Sequence, residues 1–371
     1  MQVPFFDIKK TAQRLRPQMR DGLAELLRSE RLVSGRFTQR FEASLADYMG
    51  GGNPVAVGSA TDALILSLRA AGIGEGDEVI VPCYSFFATV SCVLHVGATP
   101  VFVDIEPVSY AIDATKIEAA VTERTKAVMP VHLFSQMADV RAISALCEAR
   151  GIMMIEDSAE GLGIFFEDRH SGLWGEMGVI SFFPTKTLGA LGDAGAILCR
   201  DEEQARLCRM LRDQGREGGE VSRIPGFNSR VDDIQSLFLD VRLRSIEDEI
   251  AARARLAAHY SERLVPWGSN LVTPSILPRG AQRSVFYVYL IECERRDELV
   301  RHLTASGITT ETYYPLPLHL QPCCAYLGYG LGSMPVAEAA APRALALPLY
   351  PDMSESEADY VCDRIVQFYE R

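Results

Sequence analysis

Short apolar segments alternate with amphipathic segments as far as residue 199 of the chain. The apolar segments have the length of strands, and the stretches between them repeat apolar positions about every three or four residues, as helices do. Buried strands that alternate with helices are typical of a mostly parallel sheet covered by helices on both faces. The seven predicted strands are residues 54–57, 79–82, 100–105, 127–133, 152–155, 179–183 and 194–199.

Beyond residue 199 the pattern changes. A predicted helix at 202–213 is followed by a Gly-rich loop, and then by one long helical stretch from about 231 to 263. From residue 285 the sequence predicts a strand, a helix at 296–306, a Pro-rich loop and two last helices. We therefore predict a large domain at 1–245 and a smaller α/β domain at 246–371, with residues 1 to about 12 packed on the small domain.

Charge and composition exclude several classes of protein. The chain of 371 residues has 37 basic and 49 acidic side chains, a net charge of −12, which argues against binding of nucleic acid. No apolar run approaches the length of a membrane span, and the N-terminal segment lacks the pattern of a signal peptide. The nine cysteines are therefore expected to be free thiols, and the protein to be cytoplasmic.

Only five of the basic residues are lysines, and one of them differs from the rest. Lys186 lies in the segment VISFFPTKTLGALGDAGAIL, where Asp193 is the only other charged residue. Burial of an ammonium group in apolar surroundings lowers its pKa, which suits the chemistry of an amine nucleophile. The other four lie in polar segments and are expected to be solvated: Lys9, Lys10, Lys116 and Lys126.

Polar residues follow several predicted strands, at the edge where α/β sheets bind ligands. Ser59 and Thr61 precede a helix, whose N-terminus can bind an anion, and Asp157 follows the fifth strand. Taken singly, each is most simply a helix cap, and Phe86 after the second strand is most simply a core residue. Together with Lys186 they supply what pyridoxal phosphate requires: an anion site, an aromatic face, an acid for the ring nitrogen and an amine.

The sequence resembles the DegT/DnrJ/EryC1/StrS family of pyridoxal-phosphate-dependent sugar aminotransferases. The resemblance covers nearly the whole chain and rests on SGRFTQRFE, GSATDAL, GDEVIVP, GATPVFVDI, TKAVMPVHLF, IEDSAEGLG, SFFPTKTLGALGDAGA, GFNSRVDDIQS and PLHLQP. It implies fold type I of these enzymes: a seven-stranded, mostly parallel sheet in a large domain, a smaller C-terminal domain, and a homodimer with active sites shared between subunits.

The resemblance also implies roles for individual residues. Lys186 matches the lysine that bonds covalently to the cofactor, and Asp157 matches the acid at the pyridine nitrogen. Glu160 matches a position that is often Gln and that bonds the ring hydroxyl, so a carboxylate there changes the arrangement of protons. The remaining matches are the ring-stacking Phe86, the phosphate-binding Ala60, Thr61 and Ser181, Asn228 acting from the partner subunit, and Ser229 and His319 near the sugar.

Two departures from the family's pattern concern the substrate. Ser135 and Thr187 stand where the family often has Gly and Asn, which leaves the cofactor set intact. Some relatives dehydrate sugars and have His at the position of Lys186, so the retained lysine favours transamination. The expected reaction passes an amino group, with L-glutamate as the expected donor, through pyridoxamine 5′-phosphate to a nucleotide-linked ketosugar.

The position of amination is left with two alternatives. The segments PTKTLGALGDAGA and NSRVDDIQ most resemble members that aminate C-3 of a nucleotide-linked deoxy sugar, whereas members acting at C-4 of a hexose or pentose more often have Tyr at the position of Ser229. A non-catalytic regulator that binds pyridoxal phosphate on the same fold is the alternative of another class.

Other enzyme classes lack their motifs in this sequence. A nicotinamide oxidoreductase needs GxGxxG opening the first helix, whereas GIGEGD at Gly72 follows a helix and GLGIFF at Gly161 lacks the last glycine. The six histidines are scattered without HExxH, so no metal site is expected.

Overall fold

The computed structural model describes residues 1–268, 270–277, 279–280 and 282–370. The described strands, in chain order, are β1 (Asn53–Val57), β2 (Glu78–Pro82), β3 (Thr99–Val103), β4 (Thr125–Val128), β5 (Met153–Asp157), β6 (Phe165–Phe166), β7 (Arg169–His170), β8 (Met177–Ser181), β9 (Gly195–Cys199), β10 (Leu271–Val272), β11 (Gln282–Arg283), β12 (Tyr289–Cys293) and β13 (Ala344–Leu347).

The described helices surround these strands. They are α1 (Ile8–Leu26), α2 (Arg36–Met49), α3 (Ala60–Ala70), α4 (Ala88–His95), α5 (Ala114–Ala120), α6 (Val140–Arg150), α7 (Glu202–Arg212), α8 (Asp233–Leu243), α9 (Ile246–Leu264), α10 (Arg296–Ala305), α11 (Pro335–Ala340) and α12 (Glu355–Tyr369). Within the described residues, no helix combines the length and the apolar character needed to cross a membrane.

The predicted mostly parallel sheet of seven strands is confirmed. Its order is β1-β9-β8-β5-β4-β2-β3, and β9 alone runs against its neighbours. The strands read as continuous apolar runs because helices cover both faces; all five residues of β2, β8 and β9 are buried. The carboxyl ends of β1, β2, β5 and β8 therefore meet at one edge, which is where the candidate site lies.

The predicted fourth strand is longer than the strand observed. β4 ends at Val128, because Pro130 has no N–H to continue a ladder. The chain beyond it still pairs irregularly with the end of β5: Asp157 N–H donates to Pro130 O (2.9 Å) and His132 N–H to Asp157 O (3.0 Å). This pairing fixes the backbone of Asp157 from the side of β4.

The single helix predicted at 231–263 is wrong, since the structure has two. α8 ends at Leu243 and α9 begins at Ile246, with Ser245 as the N-cap of α9. The Ser245 hydroxyl donates to the carbonyl of Arg242 (3.1 Å) and to the Glu249 carboxylate (3.3 Å). Such local bonds to the backbone compete with a continuous helix. The break falls at the predicted domain boundary, which remains a prediction.

The pairing of the small sheets was not predicted, although the strand expected from residue 285 is observed as β12. One has the order β10-β12-β13, and the other is β11-β6-β7. β13 lies in ALALPLY, where a run of four residues is too short for its alternation to stand out. Val3 pairs with Ile308 and lies in one apolar cluster with residues of β12 and β13. The N-terminus therefore contacts the sheet of these two strands.

Candidate active site

Lys186 lies in a tight turn that follows β8. Its N–H donates to Phe183 O (2.8 Å), and the N–H of Ala190 donates to Phe182 O (2.8 Å). Gly189 is required there, because a Cβ at that position would lie 2.2 Å from the carbonyl oxygen of Pro184. The turn holds Lys186 just beyond the carboxyl end of β8, where the sheet edge is open to a ligand.

The Lys186 ammonium is paired inside the protein. Nζ lies 3.1 Å from Glu160 Oε1 and 4.3 Å from the centroid of the Tyr287 ring. The lysine side chain is 16% exposed and the Glu160 side chain 5%. The other four lysines are exposed, as predicted.

The expected lowering of the Lys186 pKa is wrong. Burial alone would lower the pKa of the ammonium, but the negative charge of Glu160 and the nearby Tyr287 and Asp157 raise it above its ordinary value. The apolar segment around Lys186 gave no sign of these partners, which come from other parts of the chain. When it is not bonded to cofactor, Lys186 is therefore an ammonium paired with Glu160.

Asp157 ends β5 with its carboxyl group buried. Oδ2 accepts a hydrogen bond from Thr89 Oγ1 (3.0 Å) on α4, and Oδ1 accepts one from the N–H of Ala159 (3.2 Å). Burial raises the pKa of Asp157, and these hydrogen bonds and the charge of Lys186 offset only part of the rise. A protonated ring nitrogen beside Asp157 would be a cation that stabilises the ionised carboxylate, and the carboxylate would in turn keep that nitrogen protonated.

Glu156, next to Asp157, was missed by sequence reasoning. Its carboxylate accepts hydrogen bonds from the N–H groups of Gly172, Trp174 and Gly175 (2.7–3.0 Å) and from His132 Nε2 (2.9 Å). Burial alone would raise the pKa of Glu156, but these donors hold it below its ordinary value. Since Glu156 is fully buried, it braces the end of β5 from the side opposite to Asp157.

The start of α3 has the geometry of an anion site. The N-cap hydroxyl of Ser59 accepts from the N–H of Asp62 (3.1 Å), whereas no hydrogen bond within the described residues reaches the N–H groups of Ala60 and Thr61. A Cβ on Gly195 would lie 2.7 Å from the nitrogen of Ala60, and Gly195 pairs with Ser181 across β8 and β9. Ser181 therefore lies beside the free N–H groups, which fit a phosphate.

Phe86 follows β2 and is 62% exposed, so it is not a core residue, which was the simplest expectation for it taken singly. Its carbonyl accepts a hydrogen bond from the N–H of Thr89 (3.1 Å), the residue whose hydroxyl binds Asp157. Phe86 is thus one helical turn before the residue that binds Asp157, and its ring is exposed. Such a ring fits the face of an aromatic cofactor, so the chain's residues satisfy the requirements of pyridoxal phosphate.

Of the three residues assigned to the partner phosphate or the sugar, only Ser229 contacts this group within one chain, through the start of α3. Asn228 is exposed and accepts from Arg230 Nε (3.1 Å). The buried Ser229 hydroxyl donates to Asp62 Oδ2 (2.7 Å) and accepts from the N–H of Gly58 (3.2 Å), which braces the start of α3. His319 is fully buried and its Nε2 lies 3.1 Å from Glu338 Oε1.

An aromatic wall beside Lys186 was also missed. Tyr287 Oη lies 3.1 Å from Tyr313 Oη, and the Phe134 ring lies 6.2 Å from that of Tyr314 in a stacked arrangement. Phe134 and Tyr314 have positive φ (61° and 53°), a costly backbone conformation that tends to occur at functional sites. The sequence offered a weak signal only in the pair of tyrosines in ETYYPLP.

Comparison with known proteins decides the family. Residues 13–366 match the DegT/DnrJ/EryC1/StrS aminotransferase family. The chain belongs to this family. It is a pyridoxal-phosphate-dependent sugar aminotransferase of fold type I, with pyridoxamine 5′-phosphate as the aminated form of its cofactor.

Its relatives include both enzymes and a protein named as a regulator. The "Pleiotropic regulatory protein" of Geobacillus stearothermophilus is 41% identical over 100% of this chain and 99% of that protein. The "UDP-N-acetyl-3-dehydro-alpha-D-glucosamine 3-aminotranferase" of Acidithiobacillus ferrooxidans is 39% identical over 96% and 95%.

Two solved structures match the fold over the whole chain. DesV of S. venezuelae, solved in complex with a ketimine intermediate, has a TM-score of 0.96 at 37% identity and covers 100% of this chain and 99% of its own. NtdA of Bacillus subtilis, with bound cofactor PMP, has a TM-score of 0.91 at 30% identity, with 100% and 86% covered.

Proposed function

We propose that this aminotransferase moves an amino group from L-glutamate to C-3 of a nucleotide-linked deoxy ketosugar in amino-sugar biosynthesis. The observation that carries the amino transfer is the meeting of Lys186, Asp157 and the free N–H groups of α3 at one edge of the sheet. Bound pyridoxal phosphate supplies an electron sink that stabilises negative charge on the substrate carbon.

Each of these residues has a task in the proposal. Lys186 Nζ bonds to the cofactor and, once released, carries a proton between two carbon atoms. Asp157, ionised beside the ring nitrogen, keeps that nitrogen protonated. Ala60, Thr61 and Ser181 bind the phosphate, Phe86 stacks on the ring, and Glu160 lies beside the reacting nitrogen.

A test of the proposed chemistry is the colour of the purified protein. Addition of pyridoxal phosphate is expected to give a visible band that borohydride abolishes and that L-glutamate bleaches, because amino transfer from the donor removes the covalent bond. A protein that stays colourless with saturating cofactor contradicts the proposal.

C-3 is favoured over C-4 on two grounds: the relative from A. ferrooxidans is named as a 3-aminotransferase, and Ser229 is small. Ser229 does not point freely at a sugar within its own chain, since its hydroxyl is bonded to Asp62 and Gly58. A larger side chain there would have to displace the start of α3 or project towards a partner subunit. The proposed role of Ser229 is therefore to leave space at the edge of the site, while His319 supports the loop near the sugar.

The preference for C-3 is tested by competition between matched 3-keto and 4-keto nucleotide sugars, with the nitrogen of the product located by NMR. The expected preference for the 3-keto compound is about 10- to 200-fold, the range for a steric difference of one small group. Preferential amination at C-4 would overturn the position while leaving the aminotransferase intact.

A homodimer with shared sites is proposed from the surface around the site. The exposed apolar side chains on it would be covered by a second copy: Leu32, Val33, Leu191, Phe227 and Ile234. Four of them are neighbours: Leu32, Val33, Leu191 and Ile234. Val33 pairs with Asp232 and the N–H of Leu191 donates to Gln235 Oε1 (2.9 Å), which brings both segments next to Ile234. The exposed Asn228 lies next to Phe227, so it would face the site of the partner.

Mixed dimers test this sharing of sites. Lys186→Ala removes the nucleophile, and Asn228→Leu weakens binding of the cofactor in the partner's site. A heterodimer then has one site with neither change, so mixing two inactive proteins is expected to restore up to about a quarter of the activity in a random mixture. Subunit exchange without any gain in activity would contradict action in trans.

A regulator is the second candidate function, favoured by the name of the G. stearothermophilus relative. A regulator that binds the cofactor would form the visible band but would not turn over a panel of nucleotide ketosugars with L-glutamate.

We also propose a cytoplasmic location, which fits the nine free thiols of the chain.

A further inference from the structure

Both oxygens of the Glu160 carboxylate are occupied as acceptors. Oε1 accepts from Lys186 Nζ (3.1 Å), and Oε2 accepts from the N–H of Phe134 (2.9 Å). The bond from Phe134 fixes the plane of the carboxylate, so that Oε1 is directed at the nitrogen that reacts. An amide of the same shape could accept one of these bonds but would bring no charge.

The pair is shielded from water, which strengthens the attraction between its charges. Tyr287 adds to it, because its ring face lies 4.3 Å from Nζ and attracts a cation. Lys186 is therefore held as an ammonium by two groups from different parts of the chain.

The other titratable groups facing this pair are Asp157, Tyr313 and Tyr314. Burial raises the pKa of both tyrosines well above the ordinary value, and the charge of Glu160 adds to the rise, so neither is ionised. Asp157 is bonded to Thr89 and Ala159, and its own pKa is raised by burial. Glu160 is the acid in direct contact with Lys186, which makes it the group that governs the proton on Nζ.

We propose that Glu160 keeps the amino group of Lys186 protonated whenever the lysine is not bonded to cofactor. Glu160 thereby sets the pH at which Lys186 becomes a nucleophile. This rests on the proposed covalent role of Lys186. Before Nζ can attack a carbonyl carbon, one N–H bond must break; its electron pair stays on nitrogen as the lone pair, and the proton leaves to water. Glu160 opposes this loss by stabilising the ammonium.

The ion pair therefore shifts the balance between the form with Lys186 bonded to cofactor and the form with Lys186 free. Because the free lysine is stabilised by Glu160, formation of the covalent bond at neutral pH is less favourable than it would be beside a neutral side chain. Glu160 thus favours the state in which the lysine is released and the cofactor carries the amino group. The carboxylate acts as a catalytic residue through the reacting nitrogen itself.

The test measures how fast cofactor-free protein captures pyridoxal phosphate covalently, by the visible band after rapid mixing, from about pH 6 to pH 10. The isosteric Glu160→Gln is expected to shift the midpoint of the rate profile by at least about one pH unit to lower pH, which is a tenfold faster capture at pH 7. Glu160→Asp, with the charge drawn back by one methylene, is expected to lie between the two. Glu118→Gln, at an exposed ion pair with Arg150, is the matched control and should leave the profile unchanged.

The outcomes separate this inference from the proposed function. Equal midpoints for wild type, Glu160→Gln and Glu160→Asp overturn the role of Glu160, and circular dichroism establishes that each variant is folded. Should Glu160→Gln fail to fold, an unshifted midpoint in Glu160→Asp overturns it alone. If the wild-type protein forms no borohydride-reducible bond at Lys186, the proposed role of Lys186 fails instead.

Discussion

Replacing Lys186 by alanine is expected to abolish amino transfer while leaving the protein folded. The turn that carries Lys186 is held by backbone hydrogen bonds from residues 186 and 190, which alanine does not disturb. The substitution removes both the nucleophile and the group that moves the proton, and the proton transfer alone is worth about 10²- to 10⁴-fold. We expect a loss of at least about 10⁴-fold in kcat, since the covalent step is lost as well.

The measurement is single-turnover amino transfer with enzyme in excess, alongside circular dichroism to confirm folding. Lys126→Ala, at an exposed position in β4, is the matched control and should keep the activity of the wild type. Appreciable transamination by Lys186→Ala without an added amine would refute the assignment.

Replacing Arg242 by methionine is expected to cost about 3–5 kcal/mol in the free energy of unfolding. Arg242 is fully buried at the end of α8, where it forms an ion pair with Glu249 of α9 (3.0 Å). It also donates to the carbonyls of Thr187 (3.2 Å) and Gly189 (2.9 Å), in the turn directly after Lys186. Methionine fills much of the volume but removes the buried cation, so that Glu249 keeps an ion pair with the partly exposed Arg14 (2.7 Å).

Arg244→Met is the control for this prediction, since Arg244 is 69% exposed and its buried partner Asp240 keeps the ion pair with Arg40 (3.0 Å). We expect it to cost at most about 1 kcal/mol. Denaturant unfolding of both variants gives the comparison, and the band formed with pyridoxal phosphate reports whether the turn of Lys186 is disturbed. Equal stability of the two variants would show that the buried network contributes little.

The central sheet could be predicted because its chemistry is local. A buried parallel strand must be apolar on both faces, and each of the seven stands out as an apolar run between helices. The break between α8 and α9 could not, because Arg244 and Ser245 occur readily in helices and the interruption depends on bonds to Arg242 and Glu249. β13 was missed because a four-residue strand in an Ala-rich segment reads equally well as helix.

In the site, too, the residues placed by local sequence could be predicted and the partners placed by tertiary packing could not. Lys186 and Asp157 were found because one follows β8 and the other ends β5, and the sheet brings the ends of its strands together. The protonation of Lys186 could not be predicted, because it depends on Glu160, which is 26 residues earlier, and on the ring of Tyr287. Such partners are set by tertiary packing, so composition near the lysine gave the opposite direction for its pKa.

The most direct measurement of the central claim is the site of covalent attachment. The protein is saturated with pyridoxal phosphate, reduced with borohydride, digested and mapped by mass spectrometry. With only five lysines in the chain, we predict a single labelled peptide that contains Lys186, and loss of the label when L-glutamate is added before reduction. A label on Lys9, Lys10, Lys116 or Lys126 instead, or none at saturating cofactor, would contradict the account.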